Sequence, residues 1–168
     1  TCNGRKPAVD VHGDHLLLCS KNSYYTIQRH NLIAVIFNEM LRNTGQYLTS
    51  LHFPRPFKAE LNVNEIGDIM ATCIQTHQKT MYDVTIVHNE IAGDLQKHKK
   101  FGLLCKSVSP PIVFKPLSFN TMGGFHPDCL AEFDRLVQLI AIAKTWDFDS
   151  CREYYLSRIS ISIPGSSA

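Results

Sequence analysis

No stretch of this sequence approaches the ~18 consecutive apolar residues of a membrane-spanning helix. The residues given therefore carry no helical span. Charge of one sign is also lacking, since 17 Lys and Arg stand against 15 Asp and Glu and leave a net charge of +2 with His neutral. So mild a basic balance permits a nucleic-acid partner but does not demonstrate one. Cysteines in a regular, paired pattern are missing. The six present (Cys2, Cys19, Cys73, Cys105, Cys129 and Cys151) are scattered, and three lie in apolar segments. That usage fits buried thiols in a reduced intracellular protein better than a disulfide framework. Internal repeats, low-complexity tracts and a signal-peptide pattern are not visible. An opening Thr1 in place of Met raises the expectation of a piece cut from a longer polypeptide.

What is present suffices for one compact domain with a real core: 168 residues, 44% of them hydrophobic. Histidines number eight, several of them near cysteines or aspartates. Residues 1–30 are polar and punctuated by Gly and Pro, as a loop is. Within them Cys2, His15 and Cys19 form a candidate set of zinc ligands, with His12 or His30 as the fourth. His15 and Cys19 stand four apart, so one helical turn would aim both at one ion, and a structural zinc site closes all four positions. The alternative is a surface loop with solvated histidines.

Periodicity then predicts a helix over 31–44. Ile33, Ile36, Phe37, Met40 and Leu41 fall on one stripe, with Asn31 as N-cap and Gly45 just past the end. Glu39 lies near the edge of that stripe and reads as a solvated residue. Residues 46–58, with Pro54 and Pro56, read as an extended connection or edge strand. Residues 61–75 and 80–88 read as two strands of a hairpin around the polar turn Gln75–Lys79. A short helix follows in 90–105, then a strand over 112–120. A long helix opens at Pro127 with Leu130, Phe133, Leu136, Val137 and Ile140 buried, and a last helix runs from Asp149 through Leu156. The sum is an α/β sandwich with a small mixed sheet.

The hairpin carries the chemistry. Asp68 and Asp83, separated by fourteen residues, each lie in a short apolar run. A carboxylate inside a buried strand is expensive unless it is paired or binds a cation. By the period of two, Asp83, Thr85 and Val87 share one face while Val84 and Ile86 take the other. Antiparallel pairing would let Asp68 and Asp83 approach each other; otherwise they sit at strand ends and face water. Two carboxylates suit Mg²⁺, which keeps several waters. A cation so held lowers the pKa of a bound water and stabilises the charge on an attacked phosphate, and a nearby lysine would add to that. Lys97, Lys99 and Lys100 follow the Asp83 strand closely enough to fold back over it, or else form a solvated face.

Taken in order, these features resemble the restriction-endonuclease-like PD-(D/E)XK nucleases. The closer resemblance is to the endonuclease domain at the C-terminal end of retrotransposon reverse transcriptases. It rests on the Cys/His segment Asp10 to Cys19, on Arg29-His30-Asn31, on the helix ending at Gly45, on Asp68 and on Asp83-Val84-Thr85. Lys97-His98-Lys99-Lys100-Phe101 and the block from Pro116 to Gly124 complete it, so that most of residues 2–146 is covered. The resemblance implies a restriction-endonuclease-like core over 31–146. That core would follow an N-terminal Cys/His, zinc-knuckle-like segment at 1–30 and precede a C-terminal helix and tail at 147–168.

It also implies a metal-dependent DNA endonuclease of a non-LTR-type retroelement, which hydrolyses a phosphodiester to nick target DNA for primed reverse transcription. The catalytic set would be Asp68, Asp83, Thr85, Lys97 and Lys100, with Mg²⁺ on the two aspartates. Cys2, His15 and Cys19 would hold a structural Zn²⁺, with the fourth ligand open and His12 one candidate for it. Arg29, His30, Asn31, Arg55 and Lys99 would face DNA, as phosphate contacts that position without reading sequence. Partners would be DNA, the element's RNA and an upstream reverse transcriptase domain in the same polyprotein, within the nucleus and away from any membrane.

Four departures stand against this pattern. Gly67 replaces the usual Pro before the first Asp. Thr85 occupies the place where many of these enzymes keep lysine. Glu60 is the nearest substitute for a Glu-Pro pair, and the first cysteine pair is reduced to Cys2. They sustain a second reading, a catalytically decayed nucleic-acid-binding module of the same fold. A ββα-metal nuclease built on the histidines of 12–30 would need them on a hairpin, and they precede any hairpin.

Overall fold

The computed structural model describes residues 23–51, 67–87, 102–103, 105–120 and 123–162. Its first element is helix α1, Ser23–Asn43. Ile33, Ile36, Phe37, Met40 and Leu41 are all buried, as a 3.6-residue rhythm requires of a helix laid on a sheet. Gly45, at φ 69°, provides the left-handed turn that stops it. The expected start at Asn31 is corrected: the helix begins at Ser23, and Asn31 lies two turns inside it, not at its cap. The polar run Gln28-Arg29-His30-Asn31 interrupts the apolar stripe, so periodicity alone stops short.

Strands β1 (Tyr47–Leu51), β2 (Ile69–Cys73), β3 (Lys79–Val87) and β4 (Val113–Asn120) form one sheet in the order β1-β2-β3-β4. The first three run antiparallel, with Leu51 opposite Ile69 and Ile69 opposite Tyr82. β4 runs parallel to β3, with Asp83 beside Pro116 and Thr85 beside Ser118. The sheet is therefore mixed, as expected. The predicted hairpin is β2–β3: β3 keeps the expected length one residue earlier, β2 ends at Cys73 and not at residue 75, residues 61–66 lie outside those described, and His77 takes φ 57° in the turn. β1 is the described part of the expected extended connection.

Helices α2 (Pro127–Lys144) and α3 (Phe148–Ser162) follow the sheet in the chain. Pro127 stands at the start of α2, where its missing N–H is harmless. α3 runs on past the expected end at Leu156, because Cys151, Tyr155 and Ile159 recur every four residues and all are buried. Arg158 to Ser162, where polar and apolar residues alternate, is thus helical. One core joins α1, α2 and α3 to the sheet face bearing Ile69, Ala71, Tyr82, Val84, Leu117 and Phe119. A smaller cluster, Met70, Met81, Cys105 and Ile112, lies on the other face. Among the described residues no helix is long and apolar enough to cross a membrane.

Candidate active site

The register of the hairpin brings the two aspartates to one place. Ile69 partners Tyr82 at the end of the β2–β3 pairing. Asp68 immediately precedes Ile69, and Asp83 immediately follows Tyr82. Both carboxylates therefore flank the same cross-strand pair. The Asp68 N–H donates to the Tyr82 carbonyl at 3.0 Å, which holds the strand end against β3. Gly67 permits this approach, since a Cβ there would lie 2.5 Å from Met81 Cγ and 2.6 Å from its Sδ.

Asp83 is 5% exposed. The Thr85 hydroxyl donates to its Oδ2 over a long 3.5 Å. Asp68 is braced from two sides at one oxygen. Its Oδ2 accepts the Val84 backbone N–H at 2.6 Å and lies 3.1 Å from His30 Nε2. Pairing with β2 has ended at that level, so the Asp68 carboxylate takes the place of the next ladder acceptor for Val84. His30 reaches it from α1, and its Nδ1 lies 3.2 Å from Asn31 Oδ1. The hydrogen bond to Asp68 raises the pKa of His30, the charges of Asp68 and Asp83 add to this, and partial burial opposes it.

Of the residues expected to face DNA, His30 and Asn31 are thus drawn together beside Asp68. Arg29, one turn before Ile33, is 7% exposed and its Nη1 has no hydrogen-bond partner among the described residues. Burial lowers its pKa. A guanidinium so withdrawn is not a surface phosphate contact. Glu39, read as solvated, is instead held in a two-point ion pair with Arg158, at 2.6 and 2.8 Å. Arg55, Lys97, Lys99 and Lys100, and the zinc candidates Cys2, His12, His15 and Cys19, lie outside the described residues.

The donor set can be tested against the metals expected. Among the described residues no three His, Cys, Asp or Glu side chains converge as a ligand group. A closed four-ligand zinc centre is therefore not formed by them. Two carboxylates flanking one strand pair do suit Mg²⁺, which commonly takes one or two carboxylates and completes its shell with waters and phosphate oxygens.

Sequence reasoning missed a second buried carboxylate, Glu132 of α2. It accepts a hydrogen bond from the Tyr82 hydroxyl at 2.7 Å, pairs with Lys115 Nζ, and receives Arg135 Nε and Nη2 at 2.9 and 2.6 Å. Arg135 also reaches the Tyr47 hydroxyl at 3.3 Å. Burial alone would raise the Glu132 pKa, but the hydrogen bonds from Arg135 and Lys115 outweigh it and hold the carboxyl below its usual value. A signal for this did exist: Cys129, Glu132, Phe133, Leu136, Val137 and Ile140 keep helical rhythm, which places Glu132 on the buried stripe. No protein-family model matches the chain, and no curated protein matches it significantly.

Proposed function

We propose that this chain is the endonuclease domain of a non-LTR-type retroelement, a restriction-endonuclease-like fold that nicks target DNA to expose a 3′ hydroxyl for primed reverse transcription. The observation that carries the reading is the pair Asp68 and Asp83, two carboxylates flanking the Ile69–Tyr82 pair, one of them buried and the other braced by N–H donors. The order helix, Asp before one strand, Asp-x-Thr on the next is the order on which the resemblance rests. Asp68 and Asp83 would hold Mg²⁺, which when bound supplies a water of lowered pKa and neutralises charge on the attacked phosphate. The chain's own groups hold the two carboxylates in place: Val84 N–H and His30 act on Asp68, and Thr85 acts on Asp83. Lys97 or Lys100 would provide the cation that Thr85 cannot. Arg55 and Lys99 would contact the DNA backbone, with the upstream reverse transcriptase domain and element RNA as further partners in the nucleus. Cys2, His15 and Cys19 would hold Zn²⁺, with His12 as one candidate for the fourth ligand.

A plasmid-nicking assay with Mg²⁺ tests the reading. Asp68→Ala and Asp83→Ala are each expected to abolish nicking while DNA binding survives. Absence of nicking by the unmutated protein, including when fused to its natural upstream domain, sinks it. Metal analysis tests zinc separately, and less than about half an equivalent in purified protein counts against a structural site. Thr85 favours a second reading, a nucleic-acid-binding module that has lost its activity, because a hydroxyl stands where the lysine of these enzymes is usual. DNA binding without nicking in that assay supports it.

A further inference from the structure

His30 is a titratable residue on the apolar face of α1, and its partner is what the sequence does not give. It stands on the buried stripe of α1, four, seven and eleven residues before Ala34, Phe37 and Leu41, and its side chain keeps 31% exposure. Its ring meets Asp68 Oδ2 at 3.1 Å, the oxygen that already accepts the Val84 N–H at 2.6 Å. An ionised carboxylate only accepts, so His30 Nε2 carries the proton of this contact. Two donors converging on one oxygen fix the rotation of the carboxyl group. One donor alone leaves that rotation broad, since the terminal torsion of Asp is soft. Oδ1 is thereby turned away from both donors and has no hydrogen bond among the described residues. A histidine serving DNA would keep its N–H for a phosphate; here Nε2 is committed to the protein.

We propose that His30 is a positioning residue. It pins the Asp68 carboxylate so that Oδ1 is presented to a divalent cation shared with Asp83. This rests on the cation-dependent reading of the Asp68–Asp83 pair, but not on nicking itself. Partners of metal-ligating groups commonly act in this way, by orienting the ligand.

The test is Mn²⁺ affinity, read by electron paramagnetic resonance on the whole chain, with unfolding midpoints measured alongside. His30→Ala is expected to weaken Mn²⁺ binding about tenfold or more, the usual effect of removing such a partner. His30→Gln, which keeps an amide N–H within reach, is expected to restore most of it. DNA affinity measured without metal should be unchanged in both variants. Unaltered Mn²⁺ affinity in His30→Ala overturns the proposal. So does equal weakening in both variants, which would mean that the N–H is not what matters, and so does loss of metal-free DNA binding with Mn²⁺ affinity intact. Failure of the unmutated protein to bind Mn²⁺ overturns both this proposal and the metal reading. Mn²⁺ binding that responds to His30 as expected, in a protein that never nicks, overturns the nuclease alone.

Discussion

Two carboxylate clusters flank Tyr82, and they are built differently. Glu132 accepts from a phenol, an ammonium and a two-point guanidinium, and Lys115 and Arg135 balance its charge with fixed cations. Asp68 has a backbone amide and one imidazole, with both contacts on the same oxygen. A buried carboxylate saturated by its own chain has little left for a ligand; one left short of cations still has an oxygen to offer. The comparison teaches that burial alone does not mark a site. The partner inventory separates a cluster that holds helix to sheet from one that can hold something else.

The comparison can be broken at four points. The largest expected effect is at the saturated cluster. Glu132→Ala strands the buried Tyr82 hydroxyl and removes the partner of the half-exposed Lys115 and Arg135, and should lower the unfolding free energy by about 3 kcal/mol, the upper end of what a buried group left without its hydrogen bond costs. Urea denaturation measures this, and a loss no greater than that of Asp68→Asn would erase the distinction. Next, Asp83→Asn should reduce Mg²⁺-dependent nicking by about a hundredfold, as loss of one electrostatic group in a site commonly does. Its urea midpoint should fall far less than that of Glu132→Ala. Third, Gly67→Ala should cost about 1–3 kcal/mol by forcing Met81 aside. In a Met81→Ala background the same change should cost clearly less, and an unchanged cost would show that the fit at Gly67 has another origin.

The smallest effect is the pH dependence of the His30 contact. The native pKa of His30 is raised, so the folded protein binds the proton more tightly than the unfolded chain. The stability this adds is complete below about pH 6.5, the unfolded value, and is lost as pH rises through the raised native value. The urea midpoint of the unmutated protein relative to His30→Gln should therefore narrow from mildly acidic to mildly alkaline solution. A gap that stays constant, or widens, would show that His30 is not charged in its contact with Asp68.

Much of the fold was legible because its signals are local. The stripe of Ile33, Ile36 and Phe37, Gly45 past the helix end, the turn after Cys73 and Pro127 opening α2 each report a neighbourhood of a few residues. The start of α1 was not legible, because its stripe breaks at Gln28 to Asn31. Those residues turn out to include the ones nearest the acidic pair. Asp68 and Asp83 could be read from their placement in apolar runs. The role of His30 could not, since spacing sets only the helix face it lies on, while the group it meets depends on how α1 lies across the sheet. Glu132 is the opposite case: its position on the stripe is readable from spacing, but its charge hides it among apolar neighbours, while Leu130 of the expected stripe is only partly buried.

The 2.6 Å bond from Val84 N–H to Asp68 makes a side chain the last rung of a backbone ladder. The edge of the β2–β3 pairing and the chemistry of the carboxylate are then thermodynamically coupled. Whatever draws charge from Oδ2 loosens that rung, and whatever frays the strand end releases the carboxylate. The Val84 amide becomes a built-in gauge, whose hydrogen exchange records the state of a group several bonds away.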